Sequence, residues 1–192
     1  MQLLQRISDI LFKPKNFFSY IDKEKGLQKS FFYFSILQGI YTILTTLVIY
    51  YWPRAYTILF LLFFKDVPVQ ELLKTAIIGF LSAIVLSFII SGIIFGWLRL
   101  FKGKRPYYDA YKLYAYSSTP SLVFGWIPIV SFFTWIYSLV VLIIGTHVMY
   151  KMSSLKSTLI YIIPLAMLLI LFVIITIFAT FAILLAAGGD SF

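Results

Sequence analysis

The chain has 192 residues, of which 61% are hydrophobic and only 12% charged, and its mean hydropathy is +0.96. A chain with so few polar side chains cannot coat a water-soluble globule, so the composition predicts an all-α, polytopic integral membrane protein. The net charge of +9 is typical of membrane proteins that collect Lys and Arg in cytoplasmic loops, and we expect no nucleic-acid partner. With no cysteine and one histidine, His147, we expect no metal site and no cofactor.

The first 29 residues form a predicted cytoplasmic segment that precedes the membrane domain, residues 30–192. Residues 1–12 carry apolar side chains at helical spacing and Pro14 ends the pattern, which predicts an interfacial amphipathic helix. Two alternatives are open, since this helix can bind anionic lipid or pack on the protein's own cytoplasmic face. The side chains expected to contact lipid or a partner are Arg6, Lys13, Lys15, Phe17, Phe18, Lys102, Lys104 and Arg105.

Five long apolar stretches predict five membrane-spanning helices, because about 20 residues are needed to cross the hydrocarbon core. They cover about 30–52, 75–98, 107–127, 129–150 and 158–187. Residues 55–64 are too few to cross and predict an interfacial or re-entrant helix. Lys and Arg number six before the first span, five in the loop after the second and two before the last, all on the amino-terminal side. This bias predicts a cell-membrane protein with its amino terminus inside and its carboxyl terminus outside.

The second span carries small residues at spacings that let another helix approach closely. The spacing is compatible with packing inside one subunit and with the seam of a homo-oligomer, and it places this span at the centre of the bundle. The stripe consists of Gly79, Ala83, Ser87, Ser91, Gly92 and Gly96.

The third span is predicted to be broken near its middle, because proline removes a backbone donor and local hydroxyls can satisfy the groups that it frees. Such a break must face protein rather than lipid. It is either a structural kink or the site of a small-solute or lipid transporter. The residues concerned are Tyr116, Ser117, Ser118, Thr119 and Pro120, with Pro128 in the outer turn. Apart from His147, we expect no ionisable side chain inside a span, and no nucleophile–base pair or paired carboxylate is evident, which argues against an enzyme.

Four features of the sequence carry a family resemblance. They are KPKNFFSYI at 13–21, a basic loop that runs into YYDAYKLYAYSSTPSLVFGWIPI at 107–129, Trp135, and Gly145. Together they resemble the Yip (Ypt-interacting protein) domain family, in its prokaryotic form, over almost the whole chain. The resemblance implies a five-helix membrane domain and, in eukaryotic relatives, partnership with Rab/Ypt-type GTPases in vesicle budding, fusion and membrane shaping.

The sequence departs from those eukaryotic relatives in one respect. It lacks their long acidic amino-terminal region with its Asp-Leu-Tyr-Gly-Pro element, which argues against a GTPase partner. We therefore expect a non-enzymatic membrane protein that organises membrane or partners through its cytoplasmic face.

Overall fold

The computed structural model describes residues 2–52 and 68–188, and within these residues it contains eight helices and no strand. The predicted interfacial or re-entrant helix at 55–64 lies outside the described residues. The helices are α1 (Leu3–Phe12), α2 (Pro14–Ile21), α3 (Gln28–Tyr51), α4 (Val69–Leu100), α5 (Tyr107–Ser117), α6 (Thr119–Phe124), α7 (Pro128–Met149) and α8 (Ser154–Gly188). The all-α class is therefore confirmed.

Four of these helices, α3, α4, α7 and α8, are long and apolar enough to cross a membrane. Helix α8 belongs to a second compact unit that begins at Ser153, and it continues as one helix through Pro164. The first unit extends to Met152 and contains α1 to α7. The stretch predicted as the third span consists of two short helices, α5 and α6, so the fifth crossing and the orientation stay predictions.

Helix α5 occupies the centre of the first unit. It packs against α3, α4 and α7, and most of its residues are buried. The sequence predicted that the second span would be central, and this prediction is wrong for α4, most of whose side chains are at least partly exposed. Alanine, leucine and tyrosine side chains of α5 are buried, but so are Asp109 and Lys112, so the burial of this helix also requires that these charges be paired.

The break between α5 and α6 falls at Ser118, inside the predicted segment. Pro120 is the second residue of α6, where its missing amide hydrogen is tolerated. The Tyr116 carbonyl that the proline deprives of a partner accepts a hydrogen bond of 2.7 Å from the Thr119 hydroxyl. The Ser121 amide, next along the chain, donates to the Ser138 hydroxyl of α7 at 3.2 Å. The backbone groups freed by the break are thus satisfied by hydroxyl groups.

Helices α1 and α2 form a hairpin that packs on the rest of the unit rather than standing apart from it. Helix α2 lies against α7 and α1 lies against α6. The inner face of the hairpin is fully apolar and at most 2% exposed; it consists of Ile10, Phe17, Phe18 and Ile21. The structure therefore favours the alternative in which this segment packs on the protein. It also corrects the expectation that Phe17 and Phe18 face outward, because both contribute to the core.

The small-residue stripe of α4 is only partly a packing surface. Ser87 and Ser91 are fully buried, and the Ser87 hydroxyl lies 3.2 Å from the Tyr111 hydroxyl of α5. A Cβ atom at Gly92 would meet only the Tyr107 ring, at 4.0 Å. Ala83 is half-buried, whereas a Cβ atom added at Gly79 or Gly96 would meet nothing within 4 Å. Packing within one subunit thus accounts for the middle of the stripe and not for its ends.

Gly145 allows α7 to approach α2 and α5 closely. A Cβ atom at this position would lie 2.5 Å from Leu113 Cδ1 and 2.7 Å from Phe18 Cζ. Both neighbours are fully buried and have little freedom to move. Even one methyl group would therefore overpack the contact of the three helices.

We predict that Gly145→Ala lowers the free energy of unfolding by about 1–3 kcal/mol, because overpacking in a filled core is destabilising. The matched control is Gly79→Ala in α4, where a Cβ atom meets nothing within 4 Å. That substitution should leave stability unchanged or raise it by up to about 1 kcal/mol through helix propensity. Thermal unfolding of the purified chain in detergent measures both, and equal midpoints for the two variants would contradict the assignment of Gly145 as a contact point.

Candidate functional site

Six charged side chains form a network where the α1–α2 hairpin meets α5. Three are basic and three are acidic, and a seventh, the exposed Lys29, lies 3.8 Å from Glu24 Oε1. Arg6 comes from α1, two acids follow α2, and the other three precede or lie on α5. The six are Arg6, Asp22, Glu24, Arg105, Asp109 and Lys112.

Lys112 is the most deeply buried of these charges, with 1% of the residue exposed. Its Nζ lies 2.6 Å from Asp109 Oδ1 and donates to the Glu24 backbone carbonyl at 2.7 Å. The Tyr108 ring lies 5.2 Å from the same nitrogen, within the range of a cation–π contact. Asp109 is itself only 4% exposed. These two residues correct the expectation that only His147 would place an ionisable group inside a predicted span.

Arg6 connects α1 to the helix break. Its Nη2 lies 3.0 Å from Glu24 Oε1, and its Nη1 donates to the Tyr116 hydroxyl at 2.7 Å. The side chains of Arg6 and Glu24 are each 12% exposed. The sequence predicted Arg6 as a lipid or partner contact, and the structure instead turns its guanidinium toward the protein.

Arg105 joins the end of α2 to the start of α5. It forms ion pairs with Asp22 and, at 3.3 Å, with Asp109, and its guanidinium lies 5.8 Å from the Tyr150 ring. Burial acts to lower the pKa of Arg105, but the two carboxylates outweigh it and the pKa lies above its ordinary value. Arg105 therefore stays charged and paired. Of the eight predicted contact residues, Lys13, Lys15, Lys102 and Lys104 are exposed.

An aromatic layer lies beside this network and covers one face of the break. The Tyr116 ring is 5.0 Å from the Phe17 ring and 5.0 Å from the Tyr33 ring. Tyr33 donates its hydroxyl hydrogen to Thr119 Oγ1 at 2.9 Å, because the Thr119 hydroxyl hydrogen is given to the Tyr116 carbonyl. Tyr116 and Thr119 are both fully buried.

A cavity of about 590 Å³ lies on the other face of the break. It is bounded by α3, α4, the α5–α6 segment and α7, and Ser117 and Ser118 contribute to its wall. The six residues predicted as one polar site are therefore divided. Ser117 and Ser118 line the cavity, Tyr116 and Thr119 belong to the aromatic layer, Pro120 is buried in α6, and half-buried Pro128 begins α7.

The chemistry available at this site is ionic and hydrogen-bonding. Among the described residues, no group of three or more His, Cys, Asp or Glu side chains could hold a metal ion. The Nδ1 atom of His147 lies 2.6 Å from the Met152 carbonyl and so contacts the backbone of the connection that follows α7. Sequence reasoning missed the pairing of Asp109 and Lys112, although their i, i+3 spacing and the i, i+4 spacing of Arg105 and Asp109 are signals that could have indicated it.

We predict that Asp109→Asn lowers the free energy of unfolding by about 3–5 kcal/mol, because it leaves the buried ammonium of Lys112 without its carboxylate. The matched control is Glu71→Gln, which removes one member of the exposed Glu71–Lys74 pair, with side chains 55% and 66% exposed. An exposed pair contributes less than about 1 kcal/mol. Thermal unfolding in detergent compares the two, and an Asp109→Asn midpoint no lower than that of the control would show that the network is not a structural requirement.

Comparison with known proteins finds one family. Neither a curated protein nor a solved structure matches the chain. The model of one protein family, the Yip1 domain, matches residues 8–187. This match includes the last turns of α1, all of α2 and the break between α5 and α6. The chain therefore belongs to the Yip1 domain family of membrane proteins.

Proposed function

We propose that this Yip1 domain protein organises the membrane without catalysis, by inserting its α1–α2 hairpin into the cytoplasmic leaflet as a wedge. The hairpin occupies area in one leaflet only, and amphipathic helices that bind in this way respond to and alter membrane curvature. The exposed lysines of the hairpin and of the loop before α5 suit anionic lipid headgroups. Lipid is thus the primary partner in this proposal.

The observation that carries the proposal is a contact between the end of α1 and the middle of α7. The Tyr137 hydroxyl donates to the Leu11 carbonyl, and Tyr137 lies near the midpoint of a helix of 22 residues. Such a helix is about 33 Å long, close to the thickness of the hydrocarbon core. If α7 crosses the bilayer, the hairpin must either enter the hydrocarbon region or thin the bilayer beside it.

The outward face of the hairpin suits such a location. Leu4 is 77% exposed and Phe12 is 79% exposed, so two large apolar side chains are left largely uncovered by the described residues. Lys13 and Lys15 at the bend can extend their ammonium groups toward the headgroups while their alkyl stems stay in the apolar region. The charge of Arg6 does not oppose insertion, because Glu24 neutralises it.

The orientation in this proposal places the amino terminus in the cytoplasm and the carboxyl terminus outside, with five crossings of the cell membrane. Its support is the charge bias of the loops and the combined length of α5 and α6, which together reach from Tyr107 to Phe124. Eighteen residues in helical conformation extend about 27 Å, enough for a short crossing.

The transporter alternative is not supported by the comparisons. No carboxylate, lysine, arginine or histidine side chain lines the cavity beside the break, so the cavity offers no group that would couple movement of a solute to an ion.

We predict that the double variant Leu4→Gln/Phe12→Gln loses most of the membrane-shaping effect, because it removes the apolar face of the wedge. In proteoliposomes that contain anionic lipid, electron cryomicroscopy should show narrower vesicles or tubules for the unaltered chain and vesicles like protein-free ones for the variant. The matched control is Ile129→Gln/Phe132→Gln, which removes two exposed apolar side chains at the start of α7 and leaves the hairpin unchanged. Vesicles of equal diameter with all three proteins would contradict the proposal that the hairpin shapes the membrane.

We predict that the crossing by α5 and α6 places residues 102 and 129 on opposite sides of the bilayer. The chain has no cysteine, so Lys102→Cys and Ile129→Cys each introduce one labelling site at an exposed position. A membrane-impermeant maleimide should label the first only from the cytoplasmic side and the second only from outside. Labelling of both cysteines from the same side would contradict the predicted crossing by α5 and α6.

A further inference from the structure

The cavity beside the break is bounded by four parts of the first unit and does not involve the α1–α2 hairpin. Six of its lining residues carry hydroxyl groups of serine or threonine, and these are Ser117, Ser118, Ser121, Ser131, Thr134 and Ser138. The number is larger than the break requires, because only Thr119, outside the cavity, and Ser138 bond to the backbone groups that Pro120 leaves free. The other hydroxyl groups donate to other backbone carbonyls and keep acceptor lone pairs on the cavity wall.

Hydrogen-bond accounting shows what these hydroxyl groups can offer. Ser117 and Ser118 both donate to the Tyr114 carbonyl, at 3.1 and 2.9 Å. Ser131 donates to the Pro128 carbonyl at 2.6 Å, and Thr134 donates to the Ser131 carbonyl at 2.9 Å. A hydroxyl group has one hydrogen and two acceptor lone pairs, so each of these oxygens can still accept. The cavity therefore offers acceptor oxygens, and Gln38, Tyr41 and Tyr114 in its lining carry groups that can donate. It matches a ligand whose hydroxyl groups can donate and accept.

The walls also restrict the charge of a ligand. None of the lining residues is an Asp, Glu, Lys, Arg or His, so an ion inside the cavity would have no counter-charge. Placing an unpaired ion in such a site is costly. The ligand that fits is uncharged and donates hydrogen bonds through hydroxyl groups.

The rest of the lining is apolar and accepts a hydrocarbon chain. It includes Phe34, Leu86, Ile90, Trp135, Leu139 and Leu142. Leu86 of α4 and Trp135 of α7 are 48% and 53% exposed, and they mark an apolar flank through which a chain can extend. The volume of about 590 Å³ lies in the range of small-ligand sites, and it is equivalent to about 20 water molecules.

We propose that this cavity binds the hydroxyl-bearing end of an uncharged single-chain lipid, of which a monoacylglycerol is the simplest example. The glycerol hydroxyl groups donate to the serine and threonine oxygens of α5 and α7. The acyl chain follows the apolar wall past Trp135 into the bilayer. This site is independent of the wedge formed by α1 and α2.

The test uses the full chain in nanodiscs and follows the fluorescence of Trp135, which lines the site. The probe is a glycerol monoester with a dibrominated acyl chain, because bromine quenches tryptophan at short range. A brominated methyl ester, fatty acid and fatty amine of the same chain length report non-specific quenching and the effect of charge. We expect saturable quenching by the glycerol ester alone, and we expect Trp135→Phe to remove it.

Variants of the cavity wall distinguish binding in the cavity from quenching by probe dissolved in the surrounding bilayer. Ser118→Ala/Thr134→Val removes two acceptor oxygens on opposite walls and should weaken binding about tenfold. The matched control is Thr176→Val/Thr180→Val, which removes two hydroxyl groups that donate to carbonyls of their own helix, α8, and should bind as the unaltered chain does. Ala83→Phe introduces a ring at the cavity wall and should abolish saturable quenching.

Equal quenching by the glycerol ester and the methyl ester would overturn the proposal, as would unchanged affinity in both Ser118→Ala/Thr134→Val and Ala83→Phe. Preferential binding of the fatty amine or fatty acid would also overturn it, because the cavity would then recognise charge. Leu4→Gln/Phe12→Gln should retain saturable binding. Failure of the wedge is therefore distinguishable from failure of this site.

Discussion

The ion pair of Asp109 and Lys112 is the constraint on which the arrangement of the first unit depends. Helix α5 can occupy the centre only if the charges that it carries are satisfied there, since an unpaired buried charge costs several kcal/mol. Asp109 pairs with the ammonium group of Lys112, and the Glu24 carbonyl accepts a hydrogen bond from the same group. Glu24 lies in the connection between α2 and α3, so the position of the amino-terminal hairpin is fixed by charge satisfaction as well as by apolar packing.

The same network explains how a hairpin with several charges can lie against apolar helices. Arg6 of the hairpin would oppose transfer from water if it were alone, but Glu24 pairs with it. Arg105, before α5, pairs in the same way with Asp22, which follows α2. The hairpin thus packs through its apolar inner face, and the one charge that it adds to the network, Arg6, is paired with Glu24. Its outward face keeps the apolar side chains of Leu4 and Phe12, which have no protein partner among the described residues. In our proposal this outward face is the part of the hairpin that meets lipid.

Much of the fold could be predicted from the sequence because the bilayer imposes a length on apolar helices. The predicted spans at 30–52 and 129–150 differ by only a few residues from α3 and α7, and the break at Ser118 lies within the predicted polar segment. The burial of Phe17 and the pairing of Arg6 could not be predicted in the same way. An amphipathic segment or a basic loop has the same sequence pattern whether its charges face water or pair with distant carboxylates. The Arg6–Tyr116 contact, for example, joins residues 110 positions apart. Such pairings are set by tertiary structure, which periodicity does not contain.

The break between α5 and α6 gives one short segment two different faces. Residues three apart on a helix share a side, so Tyr116 and Thr119 both face the aromatic layer beneath the hairpin. Ser117 and Ser118 face the opposite direction, into the cavity. A kink alone would require hydroxyl groups only where a backbone group is freed, and Thr119 and Ser138 already meet that need. Ser117 and Ser118 donate to the Tyr114 carbonyl, and Ser131 and Thr134 donate to carbonyls of α7, so each oxygen keeps an acceptor lone pair. In our proposal these lone pairs are what the cavity offers to a ligand.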